Sequence, residues 1–161
     1  MRIGSFLSNS SVRGESVSLE ERITPIVTND VRIVDPESSV KDAATLMVKE
    51  NIGCLVVFSS KGAIGIVTER DMLRKVTALG IDPNKLLVRD IMTSPLISTS
   101  IHTTVGEAAK LMIKEGVKRL IVTDGDGEFA GLLTMTDMVR WMASKEQLSD
   151  SLMNYLKYQV V

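Results

Sequence analysis

Two stretches hold the residue types best suited to chemistry: Thr68-Glu69-Arg70-Asp71 and Thr134-Met135-Thr136-Asp137. Each follows a glycine and two aliphatic residues, Gly65-Ile66-Val67 in one case and Gly131-Leu132-Leu133 in the other. The pattern predicts a strand that turns into a helix, with the threonine as its cap and the aspartate in its first turn. Free N–H groups at such a helix start favour an anion. The same Thr-x-x-Asp spacing is also a plain capping arrangement, and the two readings are compatible.

Catalytic material is otherwise scarce. His102 is the only histidine and Cys54 the only cysteine. Paired-imidazole metal sites, cysteine clusters for zinc, Ser-His-Asp catalysis and an intrachain disulfide therefore lack their residues. No P-loop-type phosphate-transfer motif is present either. The expectation is a protein that is not an enzyme, with no catalytic residue, no metal and no covalent cofactor. Cys54, inside an apolar run, reads as a small core residue, and His102 as a surface side chain in a turn. Nineteen basic against twenty acidic residues leave a formal charge of −1, which argues against a general nucleic-acid binder. Hydrophobic residues at 44% with only 4% aromatics call for an aliphatic core. No apolar run approaches the ~20 residues that span a bilayer, and no signal-type segment opens the chain. A cytoplasmic protein without a membrane partner is expected.

The elements that position the two stretches are legible from periodicity and turn residues. Val31-Arg32-Ile33-Val34 predicts a short strand, left through Asp35-Pro36-Glu37-Ser38. Ser38 or Ser39 can cap a helix to about Glu50, with Val40, Ala43, Ala44, Met47 and Val48 as its apolar stripe. Cys54–Phe58 and Ala63–Val67 predict two strands joined by a turn at Ser59-Ser60-Lys61-Gly62. The helix after Thr68 should run to roughly Leu79 and stop at Gly80.

A shift of 65 residues then lays the chain on itself, with Val40 on Val105, Ala43-Ala44 on Ala108-Ala109, and Leu46-Met47 on Leu111-Met112. One extra residue around Asp124–Glu128 moves the offset to 66, so that Gly65, Thr68 and Asp71 fall on Gly131, Thr134 and Asp137. This is an internal repeat. Each unit alone is too small for a comfortable core, so the two should bury their sheets against each other. The expected division is an N-terminal arm 1–24, units at 25–85 and 86–148, and a helical tail 149–161. Leu148, Leu152, Tyr155 and Leu156 lie on one face beyond Trp141, a packing or dimer surface. Trp141 itself reads as an interface residue.

Ile91-Met92-Thr93, Val117-Lys118-Arg119-Leu120-Ile121-Val122 and the two Gly-x-x-Thr-x-x-Asp elements resemble a known family. Roughly residues 25–145 look like two cystathionine-β-synthase (CBS) domains in tandem, the arrangement called a Bateman module. The resemblance implies an α/β fold of the α+β type. Two βαββα units would pack through their sheets with pseudo-two-fold symmetry and leave two related clefts. It further implies an adenosine ligand there, AMP, ADP, ATP or S-adenosylmethionine, with the aspartate on the ribose hydroxyls and the threonine near phosphate.

Carried onto this chain, the first cleft would use Thr28, Gly53, Thr68, Arg70 and Asp71. The second would use Thr93, Lys118, Arg119, Thr134 and Asp137. A carboxylate accepts both hydroxyls of a cis-diol, and Arg70 adds a fork of donors for phosphate oxygens. Arg70, Lys118 and Arg119 read equally as solvated charges or interunit ion-pair partners. Because Glu69-Arg70 is replaced by Met135-Thr136, and Gly53-Cys54 by Lys118-Arg119, unequal clefts are expected.

The function implied is a regulatory sensor of adenosine nucleotides that changes its association with a partner. With no effector domain fused to the pair, the target is expected to be a separate protein, and the module itself a homodimer. Two alternatives are a ligand-free interaction or dimerisation scaffold, and a module responsive to nucleic acid or a divalent cation.

Overall fold

A computed structural model describes residues 19–145. The arm through residue 18 and the tail from 146, with Leu148, Leu152, Tyr155 and Leu156, lie outside the described residues. The first unit contains β1 (Ile33–Val34), α1 (Val40–Glu50), β2 (Cys54–Ser59), β3 (Gly62–Thr68) and α2 (Glu69–Lys75). A short helix, α3 (Val88–Ile91), precedes the second unit: β4 (Ser98–Ser100), α4 (Val105–Glu115), β5 (Arg119–Thr123), β6 (Phe129–Thr134) and α5 (Met135–Lys145). In each sheet the first strand runs parallel to the central one, and the hairpin partner runs antiparallel. The repeat extends to irregularities, because both hairpins shift register at equivalent places, Val57/Phe58 and Val122/Thr123.

Local chemistry explains the helix limits. Ser39 caps α1 by accepting from the Asp42 N–H, and Thr104 and Glu107 form a reciprocal capping box on α4. Both helices end in a left-handed residue, Asn51 and Gly116. The α1 stripe is narrower than expected: Val40, Ala43 and Met47 are buried, whereas Val48 is 83% exposed. Its repeat equivalent Ile113 is 76% exposed, so the same helix face stays uncovered in both units. The helix after Thr68 is also shorter than its periodicity suggests. It closes at Lys75, and a separate 3-10 turn, Thr77–Leu79, leads to Gly80.

The two sheets face each other through Val56, Ile121 and Leu132, flanked by Ile66 and an edge-to-face pair of Phe58 and Phe129 at 5.8 Å. The expected pseudo-symmetric pairing of βαββα units through their sheets is observed.

The segments between units pack where their position in the chain does not suggest. Residues 19–24, read from sequence as arm, and Ile26, read as the start of the first unit, belong with the second unit's core. Ile23 is fully buried there with Val105, Met112, Leu120, Leu133 and Trp141. Backbone bonds tie it down, Ile23 N–H to Thr103 O at 3.0 Å and Val105 N–H to Glu21 O at 2.8 Å. The equivalent stretch before the second unit does the reverse. Val88 and Ile91 fill the first unit's core, and the Val40 N–H donates to Leu86 O at 2.9 Å. Each unit is thus completed by the segment that precedes the other, and boundaries drawn along the chain at 25 and 86 cut through both cores. Trp141 is a core residue of the second unit. No described helix is long and apolar enough to cross a membrane.

Candidate functional site

Each Thr-x-x-Asp stretch ends a strand and starts a helix, and each aspartate is tied to its own threonine. The Thr68 N–H and hydroxyl donate to Asp71 Oδ2 at 3.0 and 2.6 Å, and the Asp71 N–H donates back to Thr68 Oγ. In the second unit the Thr134 N–H and hydroxyl donate to Asp137 Oδ2 at 3.1 and 2.6 Å, with the same return bond. Capping therefore engages Oδ2 of both carboxylates. Their Oδ1 atoms differ. Lys75 Nζ lies 2.9 Å from Asp71 Oδ1 and also donates to Ile91 O at 2.6 Å, while the Thr93 hydroxyl reaches Asp71 Oδ1 at 3.5 Å. The nearest cation to Asp137 Oδ1 is Arg140, at 3.9 Å.

Two cavities open beside these aspartates. The first, of about 400 Å³, is lined by Thr68, Arg70, Asp71 and Thr93 together with Gly53, Lys118 and Arg119. The second, of about 530 Å³, is lined by Thr28, Thr134 and Asp137, and again by Gly53, Lys118 and Arg119. Both volumes fall in the range of small-molecule sites.

The division of residues between clefts differs from the one expected. Thr93 belongs with Thr68 and Asp71, and Thr28 with Thr134 and Asp137. The cause is the crossing of the linking segments. Thr93 pairs with Ile66 on β3, the Ile66 N–H to Thr93 O at 3.1 Å. Thr28 pairs with Leu132 on β6 at 2.9 Å. Gly53, Lys118 and Arg119 are not confined to one cleft; they form the wall between the two.

That wall is tight. A Cβ on Gly53 would stand 2.9 Å from the Glu69 carboxylate and 3.8 Å from Arg119. Burial pushes the Cys54 thiol up, partly offset by the neighbouring Arg119 guanidinium, and the residue lines the second cleft. Arg119 Nε is, among the described residues, the one buried side-chain nitrogen or oxygen without a hydrogen-bond partner. Such a donor calls for an acceptor. Sequence reasoning missed Arg140, Asp30 and Arg32, which also line the second cleft. Arg140 was findable, one helical turn after Asp137. Arg32 was not, because its partners Asp30 and Glu50 hold it at the rim by contacts that no spacing announces.

Asp71 is the one buried charged residue among those described. Burial pushes its carboxyl up, but the Thr68 hydroxyl, Lys75 and the Thr68 N–H together outweigh it and hold the carboxyl below its ordinary value. A carboxylate depressed on folding contributes stability above its unfolded pKa of about 3.9, and that contribution is lost as pH falls through the folded value. Lys75→Met removes part of the depression. The variant is expected to be less stable than wild type near neutral pH and to converge with it in acid. Denaturant unfolding at stepped pH checks this; a difference independent of pH would assign the loss to packing instead.

Among the described residues no group of three or more His, Cys, Asp or Glu side chains is placed to hold a metal ion. A family model described as the CBS domain matches residues 23–78 and again 88–144. An uncharacterized protein of Methanopyrus kandleri is 36% identical over 126 residues, 78% of this chain and 62% of its own, so the chain spans under two thirds of that relative. The crystal structure of an uncharacterized conserved protein from Pyrococcus horikoshii is similar with a TM-score of 0.73 at 28% identity, covering 83% of this chain and 98% of the other. CBSX2, crystallised in complex with AMP, is similar with a TM-score of 0.65 at 27% identity, covering 76% and 96%.

Proposed function

The chain belongs to the CBS-domain family and carries the domain twice, and from that premise we propose a regulatory, non-catalytic module that binds an adenosine nucleotide between its units and so alters its association with a partner protein. The observation that carries the reading is a complementary pair on one cavity wall. Asp137 Oδ1 accepts no hydrogen bond from the described residues, and Arg119, whose enclosed Nε has no partner, lines the same cavity. A nucleotide offers the converse, ribose hydroxyls that donate and phosphate oxygens that accept. Lys118 and Arg140 add positive charge to the same cavity, suiting a phosphate. The AMP complex of CBSX2 supports an adenosine ligand as the class.

A nucleotide held by both units favours the arrangement it fits best, and it can regulate only to the extent that it binds that arrangement better. Repeat-equivalent apolar side chains suit a second copy of the chain. Val48 with Ile113, and Leu73 with Val139, stand exposed on the outer helices. A homodimer through these faces is part of the proposal.

The test is a melting-temperature screen with AMP, ADP, ATP, S-adenosylmethionine and NAD, repeated on Asp137→Ala. A ligand specific for the folded chain, at a hundredfold its Kd, adds about 2.7 kcal/mol. At this size that raises the midpoint by roughly 5–10 °C. The expected result is such a rise with one adenosine compound, lost in Asp137→Ala. No shift with any of them at millimolar concentration would leave a ligand-free scaffold as the better reading.

A further inference from the structure

The two clefts differ in how far the fold itself uses up the aspartate meant for the ligand. An ionised carboxylate has about four lone-pair positions, two on each oxygen. On Asp71 both oxygens are engaged: the Thr68 N–H and hydroxyl take Oδ2, Lys75 holds Oδ1 at 2.9 Å, and the Thr93 hydroxyl stands 3.5 Å from Oδ1. On Asp137 only Oδ2 is claimed, by Thr134, and Oδ1 accepts no hydrogen bond from the described residues. The difference traces to one pair of repeat-equivalent positions. Lys75 lies four residues after Asp71, on the same helix side; the residue four after Asp137 is Trp141, buried in the second core. No ammonium group can stand where that ring packs. Thr28, the equivalent of Thr93, makes no side-chain hydrogen bond to Asp137 among the described residues.

We infer that Lys75 is a latch on the first cleft, so that in this conformation only the second, through Asp137, accepts the vicinal diol of a ribose. The inference rests on the nucleotide reading above and adds to it which cleft is loaded and why. The Lys75 ammonium group is held at two points, by Asp71 Oδ1 at 2.9 Å and Ile91 O at 2.6 Å. A sugar hydroxyl is a neutral donor. To take Oδ1 it must displace a charge-assisted bond to a carboxylate only 12% exposed and offer a weaker neutral one in its place. The latch also spans the two units' segments, since Ile91 precedes the second unit while Lys75 closes the first.

Adenosine itself is the probe, because it carries the diol without phosphates for the basic residues to hold. Calorimetric titration of the full chain is expected to give one adenosine per chain. Asp137→Asn should weaken that binding by about tenfold or more, and 2′,3′-dideoxyadenosine should bind wild type correspondingly more weakly. Lys75→Met is expected to bind a second adenosine per chain. Two equivalent adenosines in wild type, a single site that survives Asp137→Asn, or Lys75→Met remaining at one site would each overturn the latch. Should Lys75→Met not fold, Lys75→Gln and the wild-type stoichiometry still decide it. If neither wild type nor the Lys75 variants bind adenosine, AMP, ADP or ATP, the nucleotide reading itself falls. That result is distinct from the two-site outcome, which removes the latch alone.

Discussion

Replacing Ile23 with alanine is expected to destabilise the protein by about 2–5 kcal/mol, the range for a buried aliphatic side chain cut back to Cβ. Ile23 has 0% exposure and packs among Val105, Ala108, Met112 and Leu120, more than eighty residues away in sequence. Its loss removes apolar burial and leaves a cavity, because the surrounding sheet and helix are held by their own backbone bonds and cannot collapse freely. The melting midpoint should fall by on the order of 10 °C. Leu19, four residues earlier and 51% exposed, is the control, and its alanine variant should stay within about 0.5 kcal/mol. Equal small losses at both positions would show that residues 19–26 merely drape over the second unit. A large loss at Ile23 alone would establish that they complete it.

Gly131→Ala is expected to cost about 1–3 kcal/mol, the range for an extra methyl forced into a packed site. Its Cβ would stand 2.7 Å from the Thr28 carbonyl oxygen and 2.6 Å from a Val27 methyl. The obstacle is a backbone atom of the crossing segment, paired to β6 through Thr28 and Leu132, so relief requires that segment to move. Thr28 lines the second cleft, and the same variant should therefore weaken nucleotide binding there.

Gly65→Ala, at the equivalent place in the first unit, should cost less. The methyl meets chiefly the Met92 thioether at 2.5 Å, the far end of a flexible side chain, with the Thr93 carbonyl oxygen at 3.2 Å. Gly125→Ala, with nothing within 4 Å, is the neutral control. Denaturant midpoints for the three variants should rank Gly131, Gly65, Gly125 from most to least damaging. An equal loss at all three would point to glycine's backbone freedom as the cause, and an inverted order would contradict the close approach itself.

These glycines show how the motif and the fold relate. As letters, Gly65 and Gly131 mark a repeat and the start of a strand-to-helix turn. In three dimensions each leaves room for the segment that crosses from the other unit, Met92-Thr93 in one case and Val27-Thr28 in the other. The ten residues singled out from the sequence all line one cleft or the other, yet Thr28 and Thr93 stand in the opposite clefts from those expected. The error has a definite source. In a repeat, Thr28 and Thr93 are chemically equivalent, and each satisfies the pattern equally well beside β3 or beside β6. Only the direction taken by the two linking segments separates the alternatives.

What the sequence determined by itself is everything carried by neighbours in the chain. The helix caps and the Thr-x-x-Asp turns follow from contacts within about four residues, and the repeat is read by laying the chain on itself. The apolar composition further required two sheets to meet, and they do. Tertiary structure decided what depends on partners tens of residues apart. It placed Ile23 in the second core and Val88 in the first, and made Gly53, Lys118 and Arg119 one shared wall. It also completed a difference already written four residues after each aspartate, by tying Lys75 to the carbonyl of Ile91 and burying Trp141 in the second core. A carboxylate's remaining capacity to accept hydrogen bonds depends on every donor that folding brings to it, and spacing along the chain records only the nearest of them.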